Sequence, residues 1–170
     1  MSIAFIFPGQ GSQSVGMGVD LSEAFASARE VFQEVDDALG QKLFALMKEG
    51  PDTDLTLTEN AQPALMAVSL AVTRTLEKEF GVGIDKAAFV AGHSLGEYSA
   101  LAAAGAISLA DTARLLKLRG QAMQRAVPVG ELHGERARGR VSGWGSCARV
   151  RDRHRATLVS SANETAEVSV

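Results

Sequence analysis

The sequence predicts an α/β fold, with strands alternating with helices around a mainly parallel sheet. Three observations carry this expectation. Residues 3–7 (IAFIF) and 87–91 (AAFVA) are short, continuous apolar runs of the kind that form buried parallel strands. Each is closed by a glycine-containing loop, and each loop leads toward a stretch of helical period. The second loop is Gly92-His93-Ser94-Leu95-Gly96, which has the Gly-x-Ser-x-Gly form of a nucleophile elbow.

The elements follow in order. After the first strand, Pro8-Gly9-Gln10-Gly11-Ser12-Gln13 turns the chain. Asp20, with Glu23 three residues on, is spaced for a capping box. Leu21, Phe25, Ala28, Phe32, Val35 and Leu39 then recur at helical spacing until Gly40 stops the run. A short helix is expected over 42–48, before Gly50-Pro51. Beyond Gln62-Pro63, Leu65, Val68, Val72 and Leu76 mark another helix, with Pro63 at an allowed early position. The strand at 87–91, the elbow and a helix over 97–104 come next, and Gly105 ends that helix. Ser108 with Asp111 starts the last helix, which runs to about Arg125. No internal repeat is present.

The 170 residues suffice for one domain with a real core. Hydrophobic content of 46% and charged content of 22% are ordinary for a soluble globular protein, and a net charge of −3 gives no electrostatic case for nucleic acid. Cys147 is the only cysteine, so no internal disulfide forms. The run at 3–7 is too short for a signal peptide, and no stretch approaches a membrane span. A soluble cytoplasmic protein without nucleic-acid or membrane partners is expected.

The composition changes after Gly130. All five Lys and all seven Phe precede residue 131, whereas the Trp, the Cys and seven Arg follow it. The net charge is −5 up to Gly130 and +2 beyond. Residues 131–155 have no period that would bury a face of a helix or strand.

The elbow carries the chemistry. A Ser on a sharp strand-to-helix turn is lifted out of the sheet, and glycines on either side let backbone approach where a side chain would clash. The helix N-terminus behind it offers free N–H groups and a positive dipole end. This suits a Ser94 nucleophile with an oxyanion developing beside it. The loop around Gln10 fails the phosphate-binding templates, having no Gly-Lys-Ser/Thr and Ser14 in place of a third glycine. Acyl-transfer sites often draw one oxyanion donor from the residue after the nucleophile and one from a separate strand-to-helix loop. Leu95 and Gln10 hold those two places, although Gln10 could equally be a plain turn residue.

Arg119 lies at the edge of the last helix's apolar stripe, three and four residues from Leu116 and Leu115, whereas Lys117 points away. An Arg against apolar surface needs an anionic partner, and its planar fork matches a carboxylate. That partner is commonly a carboxylate on a neighbouring helix; beside a nucleophilic Ser it is also a carboxylated substrate. His93 adjoins Ser94, but successive residues at an elbow point apart, so a structural role is expected. His133 and His154 are the other histidines, and neither is expected to be a catalytic base.

Four segments, PGQGSQ at 8–13, QPAL at 62–65, AGHSLGEYSAL at 91–101 and RGQAMQ at 119–124, together resemble the malonyl-CoA:acyl carrier protein transacylase family of bacterial fatty-acid synthesis. Polyketide-synthase acyltransferase domains are close relatives of that family. The resemblance covers residues 1–130, with the motifs in family order. It implies the N-terminal part of an α/β-hydrolase-like large subdomain, accompanied in the family by a ferredoxin-like small one. It implies transfer of malonyl from coenzyme A to a Ser and on to the phosphopantetheine thiol of acyl carrier protein, by a monomer without metal or redox cofactor. Coenzyme A and phosphopantetheine enter as substrate carriers. Ser94 matches the nucleophile, the backbone N–H groups of Gln10 and Leu95 the oxyanion hole, Arg119 the malonyl-carboxylate clamp, and Gln62 a position near the site.

Beyond residue 130 the resemblance lapses. The family continues into the small subdomain and returns to the large one with a catalytic His, and no residue here matches that His. Residues 131–170 are expected to be disordered or the product of a reading-frame error: codon degeneracy permits 133–141 to be read one base later as MASALGVEF, which resembles the family's continuation. Without the small subdomain and the returning strands, acylation is expected to be slow and apolar surface to be uncovered. Two other readings share the elbow: a serine hydrolase or thioesterase, for which Arg119 has no special value, and a non-catalytic remnant that binds acyl carrier protein.

Overall fold

The computed structural model describes residues 3–126 in full and the backbone of 147–152, 155–159 and 165–169. Strands β1 (Ile3–Phe7) and β2 (Ala87–Gly92) pair in parallel, with Phe5 opposite Val90 and Phe7 opposite Gly92. Between them run α1 (Val19–Ala24), α2 (Ala26–Leu39), α3 (Leu43–Glu49), α4 (Asp52–Thr56) and α5 (Thr58–Phe80), with a 3-10 turn at Ile84–Lys86. Helices α6 (Leu95–Ala103) and α7 (Leu109–Ala126) follow. Phe7, Val90, Leu95 and Leu116 share one core with Phe32, Met66 and Leu70 of the long helices.

Alternation along β1 and β2 decides which face is covered. Phe7 and Val90 are buried, whereas Ile6 is 79% exposed and Phe89, opposite Ala4, is 39% exposed. The helices thus cover one face of this pair and leave apolar side chains on the other exposed, so neither run is the fully buried strand that its unbroken apolar sequence predicts.

Several expectations need correction. The helix predicted from Asp20 to Leu39 is two helices, because Phe25 is extended (φ −130°, ψ 126°) between them. Gly18, in the left-handed region, precedes α1, and Asp20 lies inside its first turn without capping it. Helix α5 begins at Thr58, so Pro63 sits inside it rather than at its start. Pro63 has no N–H for the Glu59 carbonyl, so α5 lacks one backbone hydrogen bond in its second turn.

The sheet is not mainly parallel among the described residues. Beyond β2 it continues antiparallel through β3 (Cys147–Asp152), β4 (Arg155–Val159) and β5 (Thr165–Ser169), in the order β1-β2-β3-β4-β5. Backbone hydrogen bonding therefore orders parts of the tail that have no strong hydrophobic period, since a ladder requires only extended backbone and a partner edge. Other expectations hold. Gly40 closes α2 with φ 58°, and Ser108 and Asp111 form the reciprocal capping contacts that open α7. Among the described residues, no helix is long and apolar enough to cross a membrane.

Candidate active site

The elbow is built by backbone touching backbone. A Cβ on Gly92 would lie 2.0 Å from the Gly96 carbonyl carbon, and one on Gly96 would lie 2.4 Å from the Phe7 oxygen and 2.8 Å from that of Pro8. Both positions must be glycine for β1, β2 and the start of α6 to converge. The turn puts Ser94 at φ 57°, ψ −113°; among the described residues it is the one non-glycine with positive φ. Strain of this kind costs about 1–3 kcal/mol and persists only where surrounding packing enforces it.

Ser94 precedes α6, so the Leu95 N–H at the helix start has no intrahelical acceptor. Leu95 itself is fully buried, which fixes that amide beside the Ser. The Gln10 loop comes to the same place: a Cβ on Gly9 would lie 2.6 Å from His93 Nδ1 and 3.1 Å from the His93 carbonyl oxygen. Gln10 is exposed, and its side-chain amide donates to Thr58 Oγ1 at 3.4 Å.

His93 serves the turn through its backbone, accepting from Gly96 N at 2.9 Å and donating to the Phe7 oxygen at 3.2 Å. His133 and His154 lie outside the described residues.

Arg119 is brought directly to the nucleophile. Its Nη2 donates to Ser94 Oγ at 3.0 Å and its Nη1 to Gln62 Oε1 at 2.7 Å. The guanidinium lies 5.8 Å from the centre of the Tyr98 ring, and Gln62 is completely buried. Among the described residues no carboxylate forms an ion pair with Arg119. The half-buried cation is therefore held by neutral groups beside a strained serine, an arrangement that favours an arriving anion.

Sequence reasoning misjudged Lys117. It does not point away: its ammonium reaches Gln41 Oε1 and Asn60 Oδ1 at 2.9 Å each, and Glu59 Oε2 at 3.3 Å. Glu59, Gln121 and Gln124 were missed as well. Glu59 Oε2 accepts from Gln121 Nε2 at 3.1 Å, and the Glu59 N–H donates to Gln124 Oε1 at 2.9 Å. Gln121 and Lys117 both hold the Glu59 carboxyl below the usual carboxylate range. Among the described residues no cluster of side chains is suited to hold a metal ion.

The acyl transferase domain profile matches residues 4–168. The chain belongs to the acyl transferase domain family. The malonyl CoA-acyl carrier protein transacylase of Bacillus subtilis strain 168 is 53% identical over 129 residues, which is 76% of this chain and 39% of that protein. The Escherichia coli K12 protein of the same name is 48% identical over 127 residues, or 75% of this chain and 40% of its own length. An acyl-carrier-protein S-malonyltransferase structure from Bartonella henselae superposes with a TM-score of 0.72 at 64% identity, covering 75% of this chain and 40% of the other. A malonyl-transacylase in complex with a type II polyketide acyl-carrier protein gives a TM-score of 0.70 at 46% identity, again over 75% and 40%. This acyl transferase chain thus spans about two fifths of the length of these relatives. Its helices and small parallel β1–β2 pair match the fold of those structures.

Proposed function

We propose that this chain carries the nucleophile and the carboxylate clamp of a malonyl-CoA:acyl carrier protein transacylase. Residues 1–130 form the N-terminal part of an α/β-hydrolase-like large subdomain. The observation that carries the reading is Arg119, unneutralised by any described carboxylate, donating to Ser94 at 3.0 Å. A thioester whose acyl group ends in a carboxylate would place that group on the Arg119 fork and its carbonyl against Ser94. Ser94 Oγ attacks the carbonyl carbon, the developing oxyanion takes the N–H groups of Leu95 and Gln10, and the C–S bond breaks. Coenzyme A leaves as a thiol with the serine proton; the phosphopantetheine thiol of acyl carrier protein then attacks the malonyl ester, the bond from the acyl carbon to Ser94 Oγ breaks, and the malonyl thioester forms as the thiol's proton returns to Ser94. Gln62 keeps the fork aimed by accepting from Nη1. Arg119 is the only described side chain hydrogen-bonded to Ser94 Oγ, so the described residues supply no base, and slow acylation is expected.

Residues 131–170 we read as a change of frame, on the break in composition after Gly130. Sequencing independently amplified DNA around codon 130 tests this; an unaltered frame overturns it.

The functional test is intact-mass analysis of the chain after incubation with malonyl-CoA or acetyl-CoA. Malonylation absent from Ser94→Ala, and reduced about 10- to 100-fold in Arg119→Ala, is expected from loss of a charge-assisted contact. Equal malonyl and acetyl labelling in the parent chain would overturn the reading. Rapid loss of label to water in the presence of acyl carrier protein would favour a hydrolase.

A further inference from the structure

Helices α5 and α7 touch at Gly120, where a Cβ would lie 2.5 Å from Glu59 Cα and 2.7 Å from Glu59 N. Glu59 therefore sits beside the residue next to Arg119, and it is one helical turn before Gln62, whose Oε1 accepts from Arg119 Nη1 at 2.7 Å. It is instead engaged elsewhere, by the Lys117 ammonium at 3.3 Å and the Gln121 amide at 3.1 Å. Lys117 is in turn fixed by Gln41 and Asn60, and Asn60 Nδ2 is anchored on the Asp54 carbonyl at 2.9 Å. One carboxylate and two cations thus share the contact between α5 and α7, and the carboxylate goes to Lys117, two residues before Arg119, and not to Arg119.

We propose that Lys117, with Gln121, sequesters the Glu59 carboxylate and so keeps Arg119 free for the substrate's carboxylate. Lys117 is a positioning residue for acyl selectivity, and Glu59 is the latent competitor it restrains. Without Lys117, Glu59 pairs with Arg119, neutralises it and draws it from Ser94. The carboxylate preference then falls without loss of the nucleophile. This inference rests on the transacylase reading above.

The test is calorimetric binding of malonyl-CoA and acetyl-CoA to the 170-residue chain and its variants. Lys117→Met is expected to weaken malonyl-CoA binding about tenfold, the worth of one charge-assisted hydrogen bond, with acetyl-CoA unchanged. Adding Glu59→Gln to Lys117→Met removes the competitor and is expected to restore malonyl-CoA binding. A merely structural role would make the double variant worse than the single one. Lys117→Arg keeps a cation on Glu59 and is expected to keep the preference. Equal losses for both thioesters in Lys117→Met, no rescue by Glu59→Gln, or a folded Lys117→Arg that has lost the preference overturns the inference alone. A parent chain that does not prefer malonyl-CoA overturns the transacylase reading and this inference with it.

Discussion

The elbow and the α5–α7 seam hold the two halves of the site by opposite means. At the elbow, backbone meets backbone: Gly92 against Gly96, and Gly96 against the carbonyls of Phe7 and Pro8. At the seam, Gly120 brings backbones together, and long polar side chains link the helices around it: Lys117, Gln121 and Gln124 on one helix, Glu59, Asn60 and Gln62 on the other. A nucleophile must stand at one fixed place relative to its oxyanion donors, and rigid backbone does that. A clamp must choose among anions, and side-chain charges can be balanced for that purpose. Elbow changes should therefore act on folding, whereas seam changes should act first on which acyl group is accepted.

Gly96→Ala strikes the elbow where backbone packs tightly on backbone. The added methyl meets two carbonyl oxygens of β1's end, and neither can retreat without unpairing β1 from β2. A loss above about 3 kcal/mol is expected in urea unfolding followed by circular dichroism. A loss within 1 kcal/mol would mean that the elbow tolerates displacement that this contact forbids.

Gly120→Ala is the matching change at the seam. Its methyl would meet Glu59 Cα at 2.5 Å and the Thr58 oxygen at 2.7 Å, but two helices can slide apart where an elbow cannot. About 1–3 kcal/mol of stability should be lost. Malonyl preference should fall further than acetyl binding, because Arg119 moves away from Ser94 with its helix. A folded Gly120→Ala with full preference would show that the seam does not set the clamp.

The same contrast explains what could be read from the sequence. The elbow was legible because its parts are five residues long and fully local. The strands at 3–7 and 87–91 were legible because both are unbroken apolar runs, whereas their pairing with each other was not. Arg119 was legible as a cation against an apolar stripe, but not that Gln62, 57 residues earlier, would hold it. Glu59 and Lys117 each look like ordinary helix-surface charges, and nothing local shows that α5 starts early enough to bring them together. Phe25 broke a helix whose period ran through it, because tertiary packing overrode spacing. The strands beyond residue 147 escaped notice because a ladder leaves a weaker mark on sequence than a buried face does.

Ser94 gives a smaller and cleaner probe of the elbow. Ser94→Gly and Ser94→Ala both remove the hydroxyl that accepts from Arg119, but only glycine relieves φ 57°. Their stability difference is expected to be about 1 kcal/mol in favour of glycine, the lower end of such strain after the entropy of glycine is allowed for. Equal stabilities would place the site's rigidity somewhere other than this residue.

The smallest effect expected is the acid limb of the seam. Gln121 and Lys117 lower the pKa of Glu59 in the folded chain, so the unfolded chain takes up this proton first as pH falls. The contribution of Glu59 is complete above the usual glutamate range and disappears as pH drops through its lowered value. Asp36 acts in the opposite sense: burial raises its pKa despite the hydrogen bond from Phe44 N at 2.9 Å, so protonating it favours the folded state. The two slopes oppose each other in the parent chain, and only a difference between variants separates them. Stability of the parent minus that of Glu59→Gln should shrink by under about 1 kcal/mol as pH is lowered through this window, as expected for a partly exposed ion pair. A difference independent of pH would mean that Lys117 is held by Gln41 and Asn60 alone, and the seam would then be neutral where its selectivity is argued to come from charge.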